Sequence, residues 1–195
     1  IIANDRWWLE RPDVEVYEYQ TPDGIVDRPW ELCRGIAHRF CHNRAGRVEH
    51  HMTGREIVAL LTEVVAKGGN LLLNVGPRGA DATIPDEQLV RLDWLAQWVG
   101  PHRDALFGTR PWIHPGSTTG EGNSVRYTAR EETVFAILAN ASGSVSLHEV
   151  RSTATTRVVT MGGESLSWRD IGHGLVIDLP MTMTPLAPPT TSTGP

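Results

Sequence analysis

Apolar positions follow two rhythms along this chain, and the change between them marks its organisation. Over residues 53–100 they recur every three or four positions, the spacing of one helix face. Thr53-Gly54-Arg55-Glu56 reads as a capping box, with Thr53 as N-cap and Glu56 reaching back. The helix it opens buries Ile57, Leu60, Leu61, Val64 and Val65, and stops at Gly68-Gly69. Leu71-Leu72-Leu73 and Val75 follow, apolar on consecutive positions, which predicts a strand buried on both faces as in a parallel sheet. Gly76-Pro77 ends that strand and leaves Asn74 near its carboxyl end. Pro85 suits a first helical turn, and Leu89, Leu92, Leu95, Ala96 and Val99 form the apolar face of a second helix, stopped at Gly100-Pro101. Upstream, Ile1 to Ala3 read as a strand end that delivers Asn4, Asp5 and Arg6 to a polar rim. A long loop is expected from about Trp8 to Pro29, broken by Pro12, Pro22 and Gly24, with a short strand at Gly35 to Phe40.

Beyond Gly116 the rhythm becomes that of strands. Ser124–Ala129, Thr133–Asn140, Val145–Val150, Thr156–Met161 and Gly174–Leu179 are rich in Val, Thr, Ile and Phe and are separated by Gly, Asn and Ser turns. That spacing predicts an antiparallel sandwich. The division therefore falls near Trp112: an α/β part over 1–112, a β part over 113–180, and a Pro- and Thr-rich tail over 181–195 that reads as disordered or a linker stub.

Composition narrows the function classes. The chain has 195 residues, 40% of them hydrophobic, enough to bury a core in one or two domains. Net charge is -5 with basic residues scattered, which speaks against nucleic acid as a partner. No apolar run reaches the roughly 18 residues of a membrane-spanning helix. Lys67 is the sole lysine, and so strong a bias to arginine suggests a GC-rich bacterial source. Neither an initiator methionine nor an export signal is visible, and a start inside an apolar strand reads as a truncation. Cys33 and Cys41 fit neither a disulfide framework nor a zinc pattern and are read as two buried thiols. His50-His51 cannot face one site, and His38 with His42 would form a ligand pair only on a helix, so no metal and no cofactor are expected. The glycines of 68–76 lack the lysine and hydroxyl of a phosphate loop.

Lys67-Gly68-Gly69-Asn70-Leu71-Leu72-Leu73-Asn74-Val75-Gly76-Pro77 resembles the signature of the α-L-fucosidases of glycoside hydrolase family 29. Asn4-Asp5-Arg6-Trp7, Arg28-Pro29-Trp30-Glu31, Thr83-Ile84-Pro85 and Phe107-Gly108-Thr109-Arg110-Pro111-Trp112 extend the resemblance in the same order. It implies the last strands and helices of a (β/α)8-like barrel followed by an antiparallel β-sandwich. It also implies retaining hydrolysis of terminal α-L-fucose from a fucosylated glycan. The family's nucleophile aspartate lies before the Asn-Asp-Arg-Trp segment, so this chain reads as the carboxyl-terminal half, inactive alone.

A retaining glycosidase needs two carboxyl groups about 5–5.5 Å apart, one as nucleophile and one as acid/base. The resemblance assigns the acid/base to Glu18, within Asp13-Val14-Glu15-Val16-Tyr17-Glu18-Tyr19, although the family often has Thr-Pro where Val16-Tyr17 stand. Tyr17 and Tyr19 are expected to desolvate Glu18 and raise its pKa, and Glu15 is the reserve. Arg6 aligns with an arginine that contacts the sugar; its bland alternative is a salt bridge to Asp5 or Glu31. Phe40 aligns with an aromatic against the C6 methyl of fucose, and Tyr19 adds to that wall. Trp30 is read as packing. Two other functions stay open: a non-catalytic carbohydrate-binding or structural module, and a half enzyme completed by a partner chain carrying the missing amino-terminal half.

Overall fold

The computed structural model describes residues 2–7, 10–138 and 141–180. The chain forms two compact units, one within residues 1–99 and one beginning at Gly100. The expectation for the tail at 181–195 lies outside the described residues.

The first unit is built on a parallel sheet ordered β1 (Glu15–Glu18), β2 (Trp30–Gly35), β3 (Asn70–Asn74). Asn4 adds a parallel bridge to Val14, so the amino-terminal segment lies along the outer side of β1. Helix α1 (Gly54–Ala66) starts on the expected capping box, formed in both directions between Thr53 and Glu56. It covers one face of the sheet, where Trp30, Leu32 and Val64 are fully buried with Tyr17, Leu60 and Leu71 against them. At about 1.5–3 kcal/mol for each large apolar side chain buried, this cluster contributes strongly to the stability of the sheet. The other face carries Glu18, Cys33 and Leu72, which share one register row. Leu72 is 50% exposed, so β3 is not buried on both faces as its consecutive leucines suggest. Within the described residues that second face is open.

The turn from α1 to β3 holds the unit together. Gly68, at φ +87°, closes the helix, with Gly68 N–H donating to Val65 O and Gly69 N–H to Val64 O. The Trp30 indole packs directly on Gly69, where an added Cβ would fall 2.4 Å from the ring, and its N–H donates to Lys67 O at 3.2 Å. The Lys67 ammonium donates to Glu63 Oε1 (2.7 Å), Pro22 O (2.7 Å) and Thr21 Oγ1 (3.2 Å), tying the loop after β1 to the helix end.

Several elements differ from the sequence reading. The expected loop over 8–29 contains β1, whose Val-Tyr alternation was masked by flanking Pro and Gly. The strand expected to begin at Gly35 instead ends there. Past it the chain folds back so tightly that a Cβ on Gly35 would lie 2.7 Å from Arg39 O. Helix α2 (Asp86–His102) runs through Pro101 rather than stopping at Gly100. The proline ring crowds the residue before it, and Gly100, with no Cβ, relieves part of that crowding. The buried face of α2 is Gln88, Trp94 and Trp98 rather than the leucine row, and Leu89 is 41% exposed. Two tryptophans remove more area from water than the leucines they displace, and Trp94 packs on Gly54 at the start of α1. Gln88 is buried because its Oε1 accepts from Gly76 N–H at 3.0 Å. Cys33 is half-buried but Cys41 is exposed, so only one of the two thiols fits the buried reading.

The second unit holds two antiparallel sheets. One is ordered β4 (Arg110–Thr118), β5 (Ser124–Arg130), β6 (Thr133–Leu138); the other is β7 (Gly143–Leu147), β9 (Leu175–Leu179), β8 (Ser167–Asp170). They share one core of Val125, Tyr127, Val145, Leu147, Leu175 and Ile177. β4 was hidden by Pro111, Pro115 and Gly116, which it accommodates through a register shift between Pro111 and Gly116. β8 also went unread. The strand expected at Thr156–Met161 is reduced to a lone bridge, Val159 to Ser165. Among the described residues no helix is long and apolar enough to cross a membrane.

Two outcomes follow from the α1 turn and its cap. Gly69→Ala should cost about 1–3 kcal/mol in urea unfolding, because the indole cannot retreat from a fully buried site. Gly24→Ala, with nothing within 4 Å of its added Cβ, should lie near the wild type. At the other end of α1, hydrogen bonds from the Thr53 backbone and side chain hold the Glu56 carboxyl below its ordinary value. A depressed carboxyl stabilises the fold above its unfolded pKa, and that contribution fades as pH falls through the folded value. Wild type should therefore exceed Glu56→Gln by no more than about 1 kcal/mol near neutrality, the scale of an exposed cap. In an acid titration of stability the two curves should converge.

Candidate active site

Parallel strands present their carboxyl ends at one edge, and every candidate side chain of the first unit except Glu15 arrives there. Asp5, Arg6 and Trp7 form a 3-10 turn just after the Asn4 bridge. The turn is pinned to β1 by Asp5, whose Oδ2 accepts from Val16 N–H at 3.1 Å and whose N–H donates to Val14 O at 3.2 Å. This swings the Arg6 guanidinium over the end of β1, where its Nη2 is hydrogen-bonded and ion-paired to Glu18 Oε1. The contact raises the Arg6 pKa further above its ordinary value. Asp5 and Glu31 are not its ion-pair partners; Asp5 is spent on the β1 backbone. Both members of the pair are about half exposed, at 48% and 45%.

Glu18 and Glu15 separate cleanly. Glu15 sits three residues back along β1, roughly 10 Å at strand rise, and on the opposite face. Its carboxylate pairs with Arg28 (2.9 Å) and accepts from the Tyr17 hydroxyl (3.2 Å). Tyr17 points the same way, edge-on to Trp30 at 5.4 Å, and burial followed by the bond to Glu15 pushes its phenol up. It therefore does not flank Glu18 as the sequence reading expects: neighbours in a strand face opposite sides.

Tyr19 does turn toward the edge, at the cost of a left-handed backbone with φ +58°. Such a conformation in a residue with a bulky side chain is held by its surroundings. Here the Tyr19 hydroxyl donates to His38 O (3.2 Å), its ring meets Phe40 at 5.3 Å, and Arg34 lies over it at 5.2 Å. Phe40 is fixed in turn by Asn74 at the end of β3, whose Nδ2 donates to Phe40 O at 2.7 Å. The three strand ends thus converge on an acidic and basic pair beside an aromatic wall. Glu18, Arg6, Tyr19 and Phe40 are all brought to this edge.

Three contributors were not named as site residues. Arg34 was hidden inside a strand that the sequence reading did not recognise, and its contact with Tyr19 depends on how β2 lies beside β1. Cys33, directly opposite Glu18 in register, lies close enough to feel both members of the pair; burial raises its thiol and Arg6 opposes that rise. Asn4 Oδ1 is a buried side-chain oxygen without a hydrogen-bond donor among the described residues. The His38 and His50 rings meet at 5.6 Å in a tilted contact, yet among the described residues no three His, Cys, Asp or Glu side chains gather as metal ligands.

Known proteins resemble this chain in sequence and fold. The family model described as alpha-L-fucosidase matches residues 1–103. A tissue alpha-L-fucosidase of Bos taurus is 31% identical over 97% of this chain and 42% of its own length. The Thermotoga maritima alpha-fucosidase, solved with a mechanism-based inhibitor, superposes with a TM-score of 0.82 at 36% identity, covering 91% of this chain and 41% of that one. The same enzyme solved with fucose gives a TM-score of 0.81 at 35% identity, over 91% of this chain and 41% of that one. The chain thus spans about two fifths of the length of these relatives. With the family model matching more than half of its residues, the stretch that builds the Arg6–Glu18 edge included, the chain belongs to the alpha-L-fucosidase family.

Proposed function

We propose that this chain is the carboxyl-terminal portion of a retaining α-L-fucosidase, with Glu18 as the acid/base. The observation that carries the reading is the meeting of Glu18 and Arg6 at the carboxyl edge of a parallel sheet, beside the Tyr19–Phe40 wall. In this reading the first unit is a sector of a (β/α)8 barrel and the second a β-sandwich. The nucleophile stands on polypeptide outside these residues. The open sheet face at Leu72 and the orphaned Asn4 Oδ1 support completion by further chain, since an unmet buried acceptor costs roughly 1–3 kcal/mol. Whether that chain is continuous with this one or a separate partner leaves the chemistry unchanged.

The roles follow from geometry and charge. Glu18 protonates the leaving oxygen as the nucleophile attacks the anomeric carbon, then withdraws a proton from the water that releases the sugar. Arg6 donates to carboxylate and sugar oxygens and holds the Glu18 carboxyl at the edge where both steps take place. Tyr19 and Phe40 offer an apolar wall to the methyl of a 6-deoxy sugar. A hydroxyl placed there would lose its partners, which disfavours galactose.

The 195-residue chain alone should not hydrolyse an aryl α-L-fucoside, and turnover by it would refute the divided site. Joined to a compatible amino-terminal half, it should hydrolyse the substrate with retention, read by NMR of the first-formed anomer. In that enzyme Glu18→Ala should lower the rate on a natural disaccharide by about 10²–10⁴. Azide should partly restore turnover of an activated fucoside, which needs no protonation. Glu15→Ala should leave kcat near the wild type while costing at most about 1 kcal/mol of stability through its half-exposed Arg28 pair. The reverse ranking of the two variants would move the acid/base to Glu15. Arg6→Ala should reduce kcat/KM by about ten- to a hundredfold, the scale of one charge-assisted hydrogen bond.

A further inference from the structure

The loop between Gly35 and Thr53 has a charge unlike the rest of the molecule. It holds Arg39, Arg44 and Arg47 against one acid, Glu49, together with His38, His42, His50 and His51, in a chain of net charge -5. Arg47 and Glu49 neutralise each other at 3.0 Å. Arg39 and Arg44 remain, both exposed, and among the described residues neither guanidinium has an ion-pair or hydrogen-bond partner. Solvated arginines are ordinary, but these two border a cavity. Arg39, Cys41, His42, Asn43 and Arg44 line an open cleft of about 480 Å³. A smaller space of about 70 Å³ adjoins it, sharing four of those residues and reaching His50, His51, Gln88 and one carboxylate, Glu87. No carboxylate lines the larger cleft.

Its position gives the charge a use. Phe40 interrupts the run between Arg39 and Cys41, and its ring faces Tyr19, the residue after Glu18. The loop is anchored at the same edge: Asn74 holds Phe40 O, and the backbone at Cys41–His42 packs so closely on Gly76 that a Cβ there would lie 2.7 Å from His42 N. A sugar lying against the Phe40 wall would have this cleft within reach of its neighbour. Guanidinium groups prefer planar or tetrahedral oxyanions, which they bind by paired hydrogen bonds.

We propose that the Arg39–Arg44 cleft is an anion subsite that recognises a sulfate ester or carboxylate on the sugar adjoining the terminal fucose. This rests on the fucosidase reading and deepens it: the subsite selects acidic glycans among fucosylated ones. Two unpaired guanidinium groups with His42 and Asn43 between them give the recognition, and the loop's anchorage to β3 sets its distance from the reacting bond.

The test uses fucose-free probes, so that it reads the cleft independently of hydrolysis. The isotope-labelled 195-residue chain is titrated with N-acetylglucosamine, its 6-O-sulfate, N-acetylneuraminic acid and inorganic sulfate, following backbone amides by NMR. The expected result is saturable shifts at His42, Asn43 and Arg44 with an acidic sugar, the tighter of the two naming the substituent, and none with the neutral sugar. Affinity should fall severalfold between 50 and 200 mM salt, and at least tenfold in the Arg39→Ala, Arg44→Ala double variant, whose exposed positions leave folding intact. Equal shifts from the neutral sugar, or binding unchanged in the double variant, would overturn the proposal. Inorganic sulfate matching the sulfated sugar would mark an adventitious ion only, and would overturn it as well. The completed enzyme separates the two readings. If it turns over a neutral aryl fucoside while the acidic probes fail to bind, the subsite alone is wrong. If the probes bind and the fucoside is untouched, the fucosidase reading is wrong and the cleft stands.

Discussion

The flat contact between the Trp30 indole and Gly69 governs the geometry of the first unit. It requires a residue without a side chain at the exact point where α1 hands over to β3, and it requires the helix to stop one residue earlier, at Gly68. Trp30 opens β2, so the same ring sets how that strand lies against β3, and the register from Glu31–Asn70 to Gly35–Asn74 follows. Once those two strands are in step, Asn74 comes level with the turn after β2 and can hold the Phe40 carbonyl. The apolar contact at one end of the sheet therefore determines polar geometry at the other.

The chemistry at that edge depends on strand alternation more than on any local motif. β1 sends Glu15 and Tyr17 into a structural network with Arg28 and Trp30, and Glu18 to the open side. Two glutamates three positions apart so acquire unrelated duties, one bracing the sheet and one meeting Arg6. The left-handed Tyr19 then turns the chain so that its ring meets Phe40 and lies under Arg34. A strained residue following an exposed acid is where stability has been given up for placement.

Much of this was legible in the residues, and the rest was obscured for identifiable reasons. The capping box, the double-glycine stop and the Leu71–Leu73 strand all rest on local rules, and the structure contains each of them. So do β5, β6 and β9, which carry β-branched or aromatic residues and are broken by neither proline nor glycine. β1 and β4 were hard to see because prolines and glycines crowd them, and only pairing partners distant in sequence make them strands. The face of α2 was misjudged because leucine spacing says nothing about which of two competing faces carries the larger side chains. At the edge, Glu18, Arg6, Tyr19 and Phe40 could be named through resemblance. The Arg6–Glu18 pairing, the stacking of Arg34 on Tyr19 and the sparing of Glu15 are facts of register, invisible until β1 and β2 are laid side by side.

Lys67 has a further consequence. It carries the sole lysine ammonium of the chain, 12% exposed, with Glu63, Pro22 and Thr21 around it. An amine-selective reagent therefore meets one side-chain target, guarded by the loop after β1. Its rate of modification measures how often that loop lifts from the end of α1. The molecule contains its own clock for local opening, wound by one cation and readable by mass spectrometry without any mutation.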